Sequence, residues 1–172
     1  MIFVTVGLHG EGFNRLVEMM EEIAAKTEDK VIIQIGRSNY VPRHAEFFRF
    51  REKKGMGDLY SSAEIIVTHG GVGSIMSALT YGKPVIVVPR LSDQGEHKDD
   101  HQLDIMTTFS KLGYILAAYN CTELEKAIYA IKNGEKKLRR YNFGLERQSM
   151  IDFLRLYLHN LERQKLSNLT KA

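Results

Sequence analysis

The stretch Thr68–Gln102, THGGVGSIMSALTYGKPVIVVPRLSDQGEHKDDHQ, decides the fold. A short β-branched run over 64–68 meets the glycine-rich turn Gly70-Gly71-Val72-Gly73. That turn opens onto a helical stretch from Ser74 to Tyr81, which stops at Gly82-Lys83-Pro84. A second apolar run over 84–89 then delivers a polar loop, Arg90–Gln102. Strand, tight turn, helix and strand in this order make a βαβ unit, whose right-handed crossover sets the two strands parallel.

The junction at the glycines suits an anion. Residues without a Cβ let a ligand approach the backbone, and the first N–H groups of the following helix lack intrahelical partners and carry the positive end of its dipole. A phosphate or pyrophosphate fits there. The loop after 84–89 emerges at the C-terminal edge of the same sheet, where open α/β sheets bind ligands.

Working outward, Ile2–Val6 is an unbroken apolar run of the kind expected for a parallel strand covered on both faces. Phe13, Leu16, Val17, Met20, Ile23 and Ala24 recur at helical spacing, followed by strands at Val31–Ile35 and Glu46–Phe50 and a short helix over Met56–Ser62. Beyond the central stretch, Leu103–Leu112 reads as a helix ended by Gly113, and Tyr114–Ala117 as a sixth strand. Thr122 with Glu125 predicts a capping box for a last helix to Lys132. The fold class is therefore α/β, a doubly wound parallel Rossmann-like sheet of about six strands. The expected division is a domain over 1–134 and a C-terminal helical extension over 135–172, with an apolar stripe of Met150, Leu154, Tyr157, Leu158 and Leu161.

The 172 residues suffice for a sizeable core, and 44% hydrophobic with 26% charged residues reads as globular. A net charge of +3 is too small to argue for nucleic acid. Cys121 is alone, which fits a reducing cytosol. MIFVTVG reads as a first strand and not a signal peptide, since it lacks a basic leader and runs straight into Gly7. No run approaches the ~20 apolar residues of a membrane span. The expected localisation is cytoplasmic, reaching a membrane through a partner.

Six pieces of text, MIFVTVG, FNRL, QIGR, THGGVGSI, GKPVIVVPR and GEHKDDHQ, resemble the glycosyltransferase family 28 C-terminal domain, the donor-binding half of MurG-like enzymes. Within it the chain is similar to soluble subunits of two-part transferases, and GEHKDDHQ points to the PssE-type branch of capsule and exopolysaccharide synthesis. The resemblance implies the C-terminal half of a GT-B fold and a UDP-sugar donor. It also implies a membrane-anchored partner subunit carrying the acceptor half, and a lipid-linked saccharide acceptor. It implies no cofactor and no metal, and the sequence carries no D-x-D motif.

Gly70, Gly71, Gly73 and Ser74 are the expected pyrophosphate cradle, with Ser74 as N-cap or extra donor. A bare turn joining strand to helix is the alternative reading. His69, matching the family's His-Gly-Gly loop, is assigned to donor positioning, though a lone histidine also serves packing. Ser77 departs from the family, which usually carries there a glutamate that accepts from the ribose hydroxyls. The resemblance makes Asp100, His101 and Gln102 the main sugar-contact candidates, with Glu96 and His97 beside them and Arg90 toward a phosphate or acidic sugar. By composition alone that loop is a solvated charge run. Gly7 and His9 face the same crevice if the sheet order reverses between the first and fourth strands, and His9 is the candidate acid–base group. Relatives usually have Thr or Ser where this chain has Leu8.

Two function classes follow. In the first, the chain is the donor-binding subunit of an inverting, UDP-sugar-dependent hexosyltransferase. In the second, it docks on a membrane-bound transferase and activates it without holding the donor. Ser77 and Leu8 keep the second alive. A third reading, a relative of nucleotide-sugar epimerases, needs two such halves in one chain.

Overall fold

Six strands and five helices alternate along the chain: β1 (Ile2–Thr5), α1 (Asn14–Ala24), β2 (Val31–Gln34), β3 (Glu46–Phe48), α2 (Lys53–Ser62), β4 (Ile65–Thr68), α3 (Val72–Thr80), β5 (Val85–Val87), α4 (His101–Lys111), β6 (Ile115–Ala117) and α5 (Cys121–Lys132). The structure is a computed structural model that describes residues 1–8 and 10–142. His9 and the apolar stripe from Met150 to Leu161 lie outside the described residues.

All neighbouring strands are parallel, in the order β3-β2-β1-β4-β5-β6. The chain therefore reverses its direction of travel between β1 and β4, the condition under which the loops after these two strands face each other across a crevice. The strands are short and apolar because both faces are covered. Val4, Ile33, Val67 and Ile86 join a core beneath α1 and α5, while the alternating Phe3, Ile66, Val85 and Val87 are equally buried toward the other face. Each such side chain contributes about 1.5–3 kcal/mol on leaving water.

Two local readings are corrected. The last helix is capped by Asn120, whose side chain accepts from the Glu123 N–H at 2.9 Å, while Glu123 reaches back to the Tyr119 N–H at 2.9 Å. The box thus lies two residues before the expected Thr122 and Glu125, because asparagine caps at least as well as threonine. Helix α2 begins at Lys53, ahead of Met56, despite two glycines in its first turns. Gly57 leaves room there for Tyr81: a Cβ would lie 2.7 Å from the Tyr81 hydroxyl, and the Tyr81 ring stacks on Tyr60 at 5.6 Å.

Met1–Arg140 forms one compact unit. After α5 the chain returns to the α4–β6 turn, where the Arg139 N–H donates to the Gly113 carbonyl at 2.8 Å and the guanidinium lies over the Tyr114 ring. No helix among the described residues is long and apolar enough to cross a membrane.

Candidate functional site

At the crevice between β1 and β4 lies a cleft of about 580 Å³. Its floor is polar. Thr5 at the end of β1 donates its hydroxyl to Gln34 at the end of β2, and the Gly7 N–H donates to the same Thr5 oxygen at 3.2 Å. Tyr60 of α2 rises against this floor with Ser74 and Thr5 as hydrogen-bonding neighbours, and burial pushes its hydroxyl up to about 12, so it remains a neutral phenol.

One wall is the glycine turn. Gly71 is the N-cap of α3, and the first ladder bonds run from the Ser74 and Ile75 N–H groups to its carbonyl at 3.1 Å. The amides of Val72 and Gly73 stand ahead of that ladder, at the positive end of the helix dipole. The cap is therefore Gly71, and the expected N-cap Ser74 sits in the first turn with its residue lining the cleft.

His69 explains two of the glycines. A Cβ on Gly71 would stand 2.3 Å from His69 Nε2, and one on Gly7 would stand 2.3 Å from His69 Cε1. Gly7 also has a φ of 77°, which L side chains rarely adopt. The imidazole is thus clamped between the loops after β1 and β4 and is 8% exposed, with Nδ1 3.4 Å from the Thr68 hydroxyl. Gly70 faces away from the cleft, where a Cβ would lie 2.7 Å from the Gln102 Cβ.

The opposite wall is cationic. Arg51, between β3 and α2, and Lys53, the first residue of α2, line the cleft, and no aspartate or glutamate is among its described lining residues. A second hollow of about 540 Å³, beside α1, is lined by Glu18, Glu21 and Glu22 as well as Arg43 and His44, so carboxylates outnumber cations there and disfavour an anion. Sequence reading missed Arg51 and Lys53. The available signal was two cations just past a strand's C-terminal end, the ligand edge of such a sheet.

Of the expected site residues, Gly7, His69, Gly71, Gly73, Ser74 and Ser77 line this cleft together. Ser77 donates its hydroxyl to the Gly73 carbonyl of its own helix at 2.8 Å. The polar loop is arranged differently. Arg90 is fully buried and donates to the carbonyls of Gly12 at 2.7 Å and Val6 at 3.2 Å, with its guanidinium over the Phe13 ring. Among the described residues its Nε is the one buried side-chain polar atom without a hydrogen-bond partner, and Arg90 is not among the residues lining the cleft. Glu96 pairs with Arg15 at 2.8 Å, Asp100 accepts from the Ser92 N–H at 2.9 Å, and His97 and His101 both approach Asp99. Burial acts to raise the Asp99 carboxyl, but the bonds from His101 outweigh it and hold the group below its ordinary value.

Residues 1–151 match the glycosyltransferase family 28 C-terminal domain. The chain belongs to this family. It is 28% identical over 132 residues to the human UDP-N-acetylglucosamine transferase subunit ALG13, a match covering 70% of this chain and 11% of that protein. A solution structure of ALG13 superposes with a TM-score of 0.57 at 22% identity, covering 86% of this chain and 93% of that one. MurG from Acinetobacter baumannii superposes at 0.54 and 17% identity, covering 76% of this chain and 41% of that one. These superpositions show the fold, a Rossmann-like half of the GT-B type. For a family 28 domain, the cleft at the α3 N-terminus lies on the sheet's ligand edge.

Proposed function

We propose that this family 28 domain is the donor-binding subunit of a two-component, inverting glycosyltransferase that takes a hexose from a UDP-sugar. The observation that carries the reading is the pairing, across one cleft, of the α3 N-terminus with Arg51 and Lys53. The first turn of α3, lining the space through Gly71, Gly73 and Ser74, and two cations surround a space with no carboxylate among its described lining residues, and a diphosphate is the ligand such a space suits. Its similarity to a UDP-N-acetylglucosamine transferase subunit makes UDP-GlcNAc the first donor to test.

In the proposed reaction an acceptor hydroxyl attacks the anomeric carbon, the bond from that carbon to the β-phosphate oxygen breaks, and the electron pair leaves with UDP. The amides of Val72 and Gly73 and the two cations stabilise the charge that develops on the departing diphosphate. His9, adjacent in sequence to the cleft residue Leu8, is the acid–base or diphosphate-contacting candidate. We assign the acceptor half, and the base that activates the acceptor hydroxyl, to a membrane-anchored partner subunit. The acceptor is a lipid-linked saccharide, placing the chain in the cytoplasm at the membrane through its partner. The GEHKDDHQ text favours polysaccharide or capsule assembly as the setting.

A second reading, a docking and activating subunit, is favoured by Ser77, whose hydroxyl is turned onto its own helix where relatives present a carboxylate. Amide NMR titration with UDP, UDP-GlcNAc, UDP-galactose and UDP-glucuronate separates the two. Donor binding predicts shifts over Gly70–Ser74 together with Arg51 and Lys53. Silence at these positions at millimolar ligand would replace the first reading by the second.

A further inference from the structure

Between Glu96 and Gln102 the side chains alternate in their use. Glu96 accepts from Arg15 and, at 3.0 Å, from the Leu91 N–H. Asp100 accepts from the Ser92 N–H at 2.9 Å, and Gln102 from the Gly70 and Arg90 N–H groups at 3.0 and 3.2 Å. Glu96, Asp100 and Gln102 thus anchor the loop to the rest of the domain. The odd-numbered residues His97, Asp99 and His101 turn toward one another instead.

Their ligand atoms, two imidazole nitrogens and one carboxylate oxygen, all lie within 4.8 Å of one another. His97 Nδ1 is 3.3 Å from Asp99 Oδ1, His101 Nδ1 approaches the same oxygen, and the two rings meet edge to face at 4.6 Å. Zinc bonds to nitrogen and oxygen of roughly 2.0–2.2 Å place tetrahedral ligand atoms roughly 3.3–3.5 Å apart. The His97–Asp99 separation already has that value.

We infer that His97, Asp99 and His101 form a three-ligand site for a zinc-class divalent ion, with the remaining coordination open to water or a ligand oxygen. Two imidazoles and a carboxylate suit zinc, cobalt and nickel far better than magnesium or calcium, which favour all-oxygen shells. The anchors at Glu96, Asp100 and Gln102 hold the three donors in place before any ion arrives, so little loop ordering opposes binding. An ion here would fix the start of α4, and with it Gln102, which holds the glycine turn from behind. The other three-donor group among the described residues, Glu22, Cys121 and Glu125, is less suited, because burial pushes the Cys121 thiol up to about 11 and keeps it protonated.

The test uses the full chain, free of any affinity tag and stripped with chelator, titrated with zinc chloride by calorimetry. One ion should bind per chain at micromolar concentration. His97→Ala and His101→Ala should each weaken it by at least about tenfold, the scale seen even for residues that only support ligands, and Cys121→Ser should not. In the unsubstituted chain, nickel should broaden the amide signals of 97–101 before any others, a readout that needs no variant. The site is overturned if zinc is not taken up, if H97A/H101A binds as tightly as the parent chain, or if nickel broadens another histidine's neighbourhood first.

Discussion

The side-chain oxygen of Gln102 accepts the Gly70 N–H at 3.0 Å, joining the first turn of α4 to the glycine loop that ends β4. The same oxygen takes the Arg90 N–H at 3.2 Å, and the side chain is 3% exposed. Gln102 therefore sets the position of the turn from its far side. Gln102→Ala leaves two buried N–H groups without an acceptor, at a cost of about 1–3 kcal/mol. At roughly 2–4 °C per kcal/mol in a chain of this size, the unfolding midpoint should fall measurably. Gln102→Glu, which keeps the oxygen, should recover part of the loss. An unchanged midpoint in Gln102→Ala would show that water or another group takes over the two amides.

The clamp on His69 predicts a specific coupling. Gly71 has a φ of −75°, open to any residue, so beyond the cost of an alanine at the N-cap the effect of Gly71→Ala is steric, from a Cβ 2.3 Å from the imidazole. Overpacking of this kind costs about 1–3 kcal/mol. In a His69→Ala background the same change should lose its steric part and keep only the N-cap cost, a non-additivity that a double-mutant cycle reads directly. Additive losses would mean that the ring does not fill the space between Gly7 and Gly71.

At position 77 the expected change is a gain. Ser77 lines the cleft from α3, and Ser77→Glu restores the carboxylate that relatives direct at the ribose. Calorimetric UDP affinity should rise by about 1.5–3 kcal/mol, the range for hydrogen bonds to a charged group. Equal or weaker binding would place the ribose elsewhere.

Glu21 ties stability to pH. It is 6% exposed, and although burial acts to raise its carboxyl, the N–H groups of Arg43, His44 and Ala45 and the His44 ring outweigh that and lower it. A carboxyl lowered by folding stabilises the fold above its unfolded value, near 4.5, and that stability is lost as pH falls through the folded value. Glu21→Gln should lower stability at neutral pH by roughly 1.5–3 kcal/mol and flatten the fall in unfolding midpoint below pH 4.5. A parallel acid profile in parent and variant would remove Glu21 as its source.

The sheet was legible in the sequence because strands buried on both faces are continuous apolar runs, and the glycines at 70, 71 and 73 announced the turn into α3. The reversal between β1 and β4 entered the sequence reading only as a condition, because strand–helix alternation makes the strands parallel without fixing their order. What was not legible depends on partners distant in sequence. Nothing local to Arg90 reveals that the carbonyls of Val6 and Gly12 enclose it, and Gln102 looks like a sugar ligand until Gly70 is seen behind it. Arg51 and Lys53 read as solvated charge until β3 docks at the sheet edge and brings them over the cleft. The Asn120 cap was missed for a simpler reason, since two overlapping capping patterns compete within four residues.

In the proposed complex a nucleoside diphosphate sits between the α3 N-terminus and the cations Arg51 and Lys53 at the start of α2. A crystal structure of the chain with UDP tests it most directly. Phosphate oxygens should lie within about 3 Å of the Val72 and Gly73 amide nitrogens, with Arg51 or Lys53 closing on the diphosphate from the other wall. UDP seated elsewhere, for instance in the hollow beside Glu18, Glu21 and Glu22, with the glycine turn untouched, would contradict it.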